Sequence, residues 1–348
     1  MAICTIPASV VVECVWPDGP HDRVGEGEIM KNEDDKIKVT IMIPTYNQSA
    51  FILNAINSAL DQNYPNLEVI VGDDASTDTT SEILKTIDDS RLKIVRNTFN
   101  LGRVGNYRNL LYNHASGDYV VNLDGDDYYT DSDFIAEAVR TINPHKNAVM
   151  VVAKIATKSQ NHESVSRLPP IDFALGKNVL SNLPNRSYCV MHMGVIYNRE
   201  AAIKIDFYRS PTISSDWESI YRLMLRGRVN YLNRVVGVWR IHGDNETLEC
   251  NLEKLLDNLT IWSAIFDDAK CQGMNSILAS YLSEKCIAYY AISSAVKLSI
   301  TGNSVTVKFI FLFLFRYRLA SLFVLLSPIS IARLCLSLLG YYRKIGTK

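Results

Sequence analysis

Between residues 38 and 123, β-branched and aliphatic runs alternate with segments whose apolar residues recur every three or four positions. The first run, KVTIMIPTYN at 38–47, predicts a strand that closes on Pro44 and a polar turn. Phe51, Ile52, Ala55, Ile56, Ala59 and Leu60 then share one helical stripe. A second strand is predicted at 67–71, with Gly72, Asp73 and Asp74 leaving its end. Thr79, Thr80, Ser81 and Glu82 predict a capping box opening a helix through Ile87. A third strand at 91–96 leads into an Asn- and Gly-rich loop at 97–105 and a helix through Ala115, stopped by Gly117. The fourth strand, 119–123, is apolar except for Asn122, as an interior strand of a parallel sheet requires.

This alternation predicts an α/β fold, a mostly parallel sheet with helices on both faces joined by right-handed crossovers. Ligands of such sheets sit beyond the carboxyl ends of the strands. Asp73 and Asp74 end one strand, and Asp124, Asp126 and Asp127 surround Gly125 at the end of another, so both acidic clusters fall on that rim. Three adjacent carboxylates repel one another unless a cation or amide donors sit among them. Their oxygens suit Mg²⁺ or Mn²⁺, which keep water and accept phosphate oxygens. An Asp-Gly turn that merely reverses the chain and caps a helix remains the plainer alternative. The turn PTYNQS after the first strand lacks the glycines of a dinucleotide site, and no GxxxxGK[ST] loop occurs. A nucleoside diphosphate held by a divalent ion is therefore the expected ligand.

The motifs now resemble those of the inverting glycosyltransferases of family 2, which have the GT-A (Rossmann-like) fold. The resemblance covers about residues 36–245 and rests on VTIMIPTYN, LDQNYPNLEVIVGDDASTD, NLGRVGNYRNLLYNHASGDYVVNLDGDD, SSDWESIYRLMLRG and VWRIHGDN, in that order. It implies that Asp74, with Asp73 beside it, binds the nucleotide base, and that Pro44, Thr45 and Tyr46 line the same pocket. Gly102, Arg103 and Arg108 resemble the segment that closes over uracil and phosphates. Asp124, Gly125 and Asp126 resemble the DxD motif, with Asp124 near the ribose and Asp126 on a divalent metal, Mn²⁺ or Mg²⁺. Asp127 resembles a further family carboxylate of open role. His242 resembles a residue approaching the metal or diphosphate, accompanied by Arg240 and Trp239.

The family's catalytic base is an Asp preceded by Glu, and here it resembles Asp216, with Ser215 in place of the Glu. Asp216 ahead of a helix ending at Arg222 and Gly227 equally satisfies ordinary N-capping. The plainer alternatives are His242 as a surface histidine, Arg103 and Arg108 as loop charges, and His192 as a core histidine near the acceptor site. The resemblance implies inverting transfer from a nucleotide-diphosphate sugar, a UDP-sugar above all, to a hydroxyl on a carbohydrate or lipid-linked acceptor in surface polysaccharide or glycolipid assembly. A non-catalytic nucleotide-sugar binding or scaffold protein on the same fold is the alternative. A sugar nucleotidyltransferase would need a basic Gly-rich loop near the first strand, which is missing. The irregular stretch 155–185, with Pro169, Pro170 and Pro184, is expected to face the acceptor.

Charge and cysteine content refine the picture at the ends of the chain. The 348 residues carry a net charge of −1, yet nine basic residues and no acidic ones follow Glu284. From Ser304 onward, apolar runs at 309–315 and 319–326 are too short to span a bilayer and have Arg316 and Arg318 between them, with Pro328 beyond. In-plane interfacial helices on an anionic membrane surface are expected, against the alternative of a helical cap on the enzyme core. Seven scattered cysteines without a CxxC pair indicate thiols in a reducing compartment. Residues 1–36 are expected to be a loosely attached leader, with Met30 as a candidate start, followed by the transferase domain at 37–245, a helical extension at 246–303 and the apolar basic tail at 304–348. A cytoplasmic protein peripheral to the membrane follows, with no nucleic-acid partner.

Overall fold

The structure, a computed structural model, describes residues 37–142, 147–160, 162–183, 190–243, 245, 252–301 and 303–338. The expected leader with Met30, Pro184, and the basic residues Arg343, Lys344 and Lys348 lie outside these. Among the described residues ten strands form one sheet: β1 (Val39–Thr45), β2 (Leu67–Asp73), β3 (Leu92–Arg96), β4 (Tyr119–Asn122), β5 (Tyr128–Tyr129), β6 (Ala148–Lys158), β7 (Glu163–Val165), β8 (Phe173–Leu175), β9 (Val195–Asn198) and β10 (Arg228–Arg240). Their order is β3-β2-β1-β4-β9-β6-β10-β5, with β7 beside β6 and β8 beside β10. Helices in the sheet region are α1 (Ile52–Leu60), α2 (Thr80–Leu84), α3 (Arg103–Asn109), α4 (Phe134–Ile142), α5 (Gly176–Ser181), α6 (Arg199–Lys204) and α7 (Ser215–Met224). The C-terminal helices are α8 (Leu252–Asn258), α9 (Thr260–Cys271), α10 (Ser276–Thr301), α11 (Asn303–Arg316), α12 (Arg318–Leu325) and α13 (Pro328–Leu338).

The central strands are buried on both faces, which explains their continuous apolar composition. β1 pairs in parallel with β2 on one side and β4 on the other, so strand order reverses at β1. β9 runs antiparallel to both β4 and β6, and β10 runs parallel to β6. Those two reversals return the C-terminal end of β10 to the rim on which β1, β2 and β4 end. The antiparallel pairing of β5 with Gly237 and Val238 then draws the chain after β4 against the end of β10.

Local expectations hold where burial enforces them and shift where turn chemistry decides. The α1 stripe buries Ile52, Ala55, Ile56 and Ala59 as its spacing predicts. The capping box does not form: Thr79 makes no side-chain cap, α2 ends at Leu84, and Asp78 instead accepts from the amides of Thr80 and Ser49 at 2.9 and 3.1 Å. The helix expected through Ala115 divides into α3 and a π-helical turn at Leu110–His114. The described part of the stretch 155–185 is less irregular than expected, because β6 runs on to Lys158, β7 folds back on it, and β8 pairs with β10.

A single core cluster runs from Met42 and Val120 through Tyr221 and Trp262 to Phe309, Phe313, Ala320 and Val324. The described tail therefore packs on α10 and the body of the protein, while Phe311, Phe315, Leu319, Leu322, Leu326 and Ile329 remain exposed. Among the described residues no helix is long and apolar enough to cross a membrane, and α12 and α13 meet at a bend of 96°.

Candidate active site

The rim at the carboxyl ends of β1, β2 and β4 is where the candidate residues gather. Asp74 N donates to Thr45 O at 2.9 Å from the β2 side, and Gly125 N donates to Pro44 O at 3.2 Å from the β4 side. Asp74 and the Asp124–Asp127 turn thus flank the same two residues of β1, about two strand spacings apart, roughly 10 Å. Gly125 is dictated by that approach, since a Cβ there would collide with Gln48 Oε1 and sit 2.9 Å from Thr45 Oγ1. Tyr46 projects outward beside them and is exposed.

The two β2 carboxylates have separate surroundings. Asp73 is buried and turned into the 76–81 turn, accepting from Ser76 N at 2.8 Å and Ser81 Oγ at 2.6 Å and pairing with Arg96 at 3.2 Å. Burial raises its carboxyl, but these partners hold it below the ordinary carboxylate range. Asp74 accepts from Asn97 Nδ2 at 2.7 Å and from Leu101 N at 2.8 Å, which ties it to the loop that precedes α3. Asn106 continues this tie, donating to Gly72 O at 2.8 Å and accepting from Asn97.

Each carboxylate of the second cluster is held by a different element. Asp124 Oδ1 accepts from Tyr107 Oη at 2.6 Å. Asp126 Oδ2 lies 2.9 Å from His242 Nε2 and accepts from Asn245 Nδ2 at 3.3 Å. Asp127 accepts the Arg240 amide at 2.8 Å. Burial pushes the Asp126 carboxyl up and Asp124 adds to the effect, while burial pushes Asp127 well above the carboxylate range. His242 stacks on Phe51 with ring centroids 4.7 Å apart. Arg240 lies over the rings of Tyr128 and Phe51 and donates to Asn54, so its guanidinium braces the rim, with Trp239 half-buried beside it.

Arg103 and Arg108 diverge. Arg103 lies over Tyr107 and donates to Ile213 O at 2.6 Å, just ahead of α7. Arg108 pairs with Asp206 at 2.8 Å and donates to Phe207 O at 3.0 Å, away from the acidic rim. Gly102 precedes α3 with φ +76, a conformation that a side chain would strain.

Asp216 opens α7 partly exposed, and its charge is felt by Tyr107, His192 and Tyr208. Asp124 acts on Tyr107 and His192 as well, so the charges of both carboxylates reach the same aromatic group. His192 Nε2 lies 2.5 Å from Tyr208 Oη, and burial lowers its pKa, with Asp216 and Asp124 opposing. Ser215, where the family has Glu, is buried, and its Oγ has no hydrogen-bond partner among the described residues. Arg222 does not serve only as a helix terminator: it is buried, 3.3 Å from the buried Glu218, which also pairs with Arg209 at 2.8 Å. Sequence reasoning passed over Tyr107, Asn97, Asn245 and Phe51. Tyr107 could have been found four residues after Arg103, on the same helical face.

The donor set suits a hard divalent cation. Asp126 and His242 offer one carboxylate and one imidazole at a buried anionic turn, and a cation there would relieve the repulsion recorded among Asp124, Asp126 and Asp127. No three His, Cys, Asp or Glu side chains converge on one point among the described residues, so the protein supplies part of a shell that Mg²⁺ or Mn²⁺ completes with water and phosphate.

An α/β sheet with this strand reversal and acidic rim has the architecture of the GT-A class. Residues 40–205 match the family model described as glycosyl transferase family 2, and the chain therefore carries a family 2 glycosyltransferase domain. Over 91 residues it is 42% identical to the Escherichia coli UDP-Glc:alpha-D-GlcNAc-diphosphoundecaprenol beta-1,3-glucosyltransferase WfaP, covering 26% of this chain and 36% of that protein. Over 119 residues it is 32% identical to the poly(ribitol-phosphate) beta-N-acetylglucosaminyltransferase TarS of Staphylococcus aureus, covering 33% of this chain and 21% of that one. The chain thus spans under two fifths of these relatives. Solved structures share the fold, among them the following two. TarS 1-349 with UDP has a TM-score of 0.56 at 17% identity, covering 77% of this chain and 83% of that one. The mannosyltransferase PcManGT from Pyrobaculum calidifontis with GDP-Man and Mn²⁺ has 0.53 at 18%, covering 89% and 86%.

Proposed function

We propose that the protein transfers one sugar, with inversion, from a UDP-sugar to a hydroxyl of a carbohydrate or lipid-linked acceptor in surface polysaccharide or glycolipid assembly. The observation behind this reading is the convergence of Asp74 and the Asp124–Asp127 turn on Pro44 and Thr45, with Asp216 near enough for its charge to act on Tyr107. In it, Asp74 holds the base beside Pro44, Thr45 and Tyr46, and Asp124 faces the ribose. Asp126 and His242 would hold Mn²⁺ or Mg²⁺, which when bound would supply Lewis-acid compensation of the negative charge on a departing diphosphate. Asp73 and Arg108 support the pocket walls rather than the ligand, since both are committed to protein partners. Asp216 takes the proton of the attacking hydroxyl, and a single base with in-line attack gives inversion, unlike the paired carboxylates of a retaining hydrolase.

UDP as the nucleotude carrier is supported by the names of WfaP and by the UDP complex of TarS, and the acceptor class by their diphosphoundecaprenol and poly(ribitol-phosphate) substrates. An apolar tail with exposed Phe311, Phe315 and Leu326, and with Lys308, Arg316, Arg318 and Arg333, fits seating on an anionic cytoplasmic leaflet near such an acceptor. Asp216→Asn tests the assignment. Loss of turnover by about 10²- to 10⁴-fold with unchanged UDP affinity is expected of a general base. Full turnover by the variant would remove Asp216 from the chemistry.

A further inference from the structure

Asp124, Asp126 and Asp127 would splay apart if each were free, and the structure shows what opposes this. The Asp126 partners come from the segment after β10, and the Asp127 partner is the backbone at the end of β10. Asp124 alone is anchored from the opposite side of the rim, by Tyr107 of α3. At 2.6 Å, that contact is a short charge-assisted bond to one carboxylate oxygen. Tyr107 is fully buried, and its ring has a defined seat. The Tyr208 ring lies 5.1 Å away, the His192 ring 5.5 Å away, and the Arg103 guanidinium 5.6 Å from its centroid.

Those three contacts lead to the α7 side of the site. Tyr208 N donates to Ser219 Oγ of α7 at 2.7 Å, and its hydroxyl meets His192 Nε2. Tyr208 adopts φ +61, a strained setting for an aromatic residue, held by this surrounding network. Arg103 reaches the carbonyl of Ile213, two residues ahead of α7. The π-helical turn that starts at Leu110 follows within one turn of Tyr107, a distortion common beside functional sites.

We infer that Tyr107 is a positioning residue: its hydroxyl fixes the orientation in which Asp124 meets the donor, and its ring sets that carboxylate against the helix that carries Asp216. The inference rests on the proposed role of Asp124 as a donor ligand. It gives Tyr107 a function beyond core packing. With one Asp124 oxygen occupied by the phenol, the other is presented to the donor without the rotational freedom of an aspartate on a loop.

The test is a double-mutant cycle on the full chain, with UDP and Mn²⁺ as probe and calorimetry as the readout. Tyr107→Phe keeps the ring and its packing and removes the hydroxyl, and a thermal melt reports whether the fold is intact. UDP affinity should fall about tenfold, equivalent to about 1.4 kcal/mol. In an Asp124→Asn background the same change should have under about a twofold effect, because the partner it orients has been altered. Equal losses in both backgrounds would make Tyr107 a packing residue and overturn the inference, as would an unchanged affinity for Tyr107→Phe while Asp124→Asn binds weakly. If Asp124→Asn itself binds UDP normally, the donor role of Asp124 falls and the inference falls with it.

Discussion

Replacing Glu218 by Gln perturbs the support of α7 without touching the rim. Glu218 is 0% exposed and lies 2.8 Å from Arg209 and 3.3 Å from Arg222, which is itself 4% exposed. Asp268 on α9 stands 3.7 Å from Arg222 and 2.9 Å from Arg226, so the charges join α7 to the C-terminal helices. Removing one partner of a buried pair costs about 3–5 kcal/mol, because the other is left buried and poorly compensated. Gln keeps the volume and an acceptor oxygen, and Arg222 retains Ile205 O and Asp268, which places Glu218→Gln at the lower end, about 3 kcal/mol. Urea unfolding followed by circular dichroism should show a lower midpoint at unchanged slope. Adding Arg222→Met should recover part of the loss, since both buried charges are then gone. A loss below about 1 kcal/mol for Glu218→Gln would refute the view that this network secures α7.

Two further outcomes follow from the same contacts. Burial pushes the Glu68 carboxyl up, but hydrogen bonds from Thr40 and Ser116 and the charge of Lys38 bring it below its ordinary 4.5. A lowered folded value gives stability that is complete above the ordinary value and lost as pH falls through the folded one. Glu68→Gln should therefore flatten the fall of the melting temperature with acid, and an unaltered acid limb would contradict this. For the tail, Leu326→Asp with Ile329→Asp should cut co-sedimentation with anionic vesicles at least about tenfold, since each exposed apolar side chain contributes about 1.5–3 kcal/mol on burial. Undiminished sedimentation would remove the α12–α13 bend from the membrane face.

The rim was legible because its cause is local: strands buried on both faces announce themselves as apolar runs, and the carboxylates follow directly where those runs stop. The far half of the sheet was hidden. β7 and β8 are only three residues long: β7 folds straight back on the end of β6, and β8 draws its pairing from β10, which lies distant in sequence, so local propensity gave little sign of either. The division between Asp73 and Asp74 was equally hidden, because a turn with Ala75 at φ +60 sends one carboxylate inward to Ser76 and Ser81 and leaves the other at the rim. The split between Arg103 and Arg108 could have been read, since five residues on a helix place two side chains about 140° apart. In the tail, α11 is apolar on most of its circumference, so sequence could not say which residues, Phe309 and Phe313 rather than Phe311 and Phe315, would face α10.

The central claim is that two acidic strand ends share one nucleotide. A crystal structure of the protein with UDP and Mn²⁺ tests it in one step. Uracil against Asp74 and the diphosphate beside Asp126, over Pro44 and Thr45, is the predicted result. UDP bound on another surface, or with its diphosphate remote from Asp126, would contradict the account.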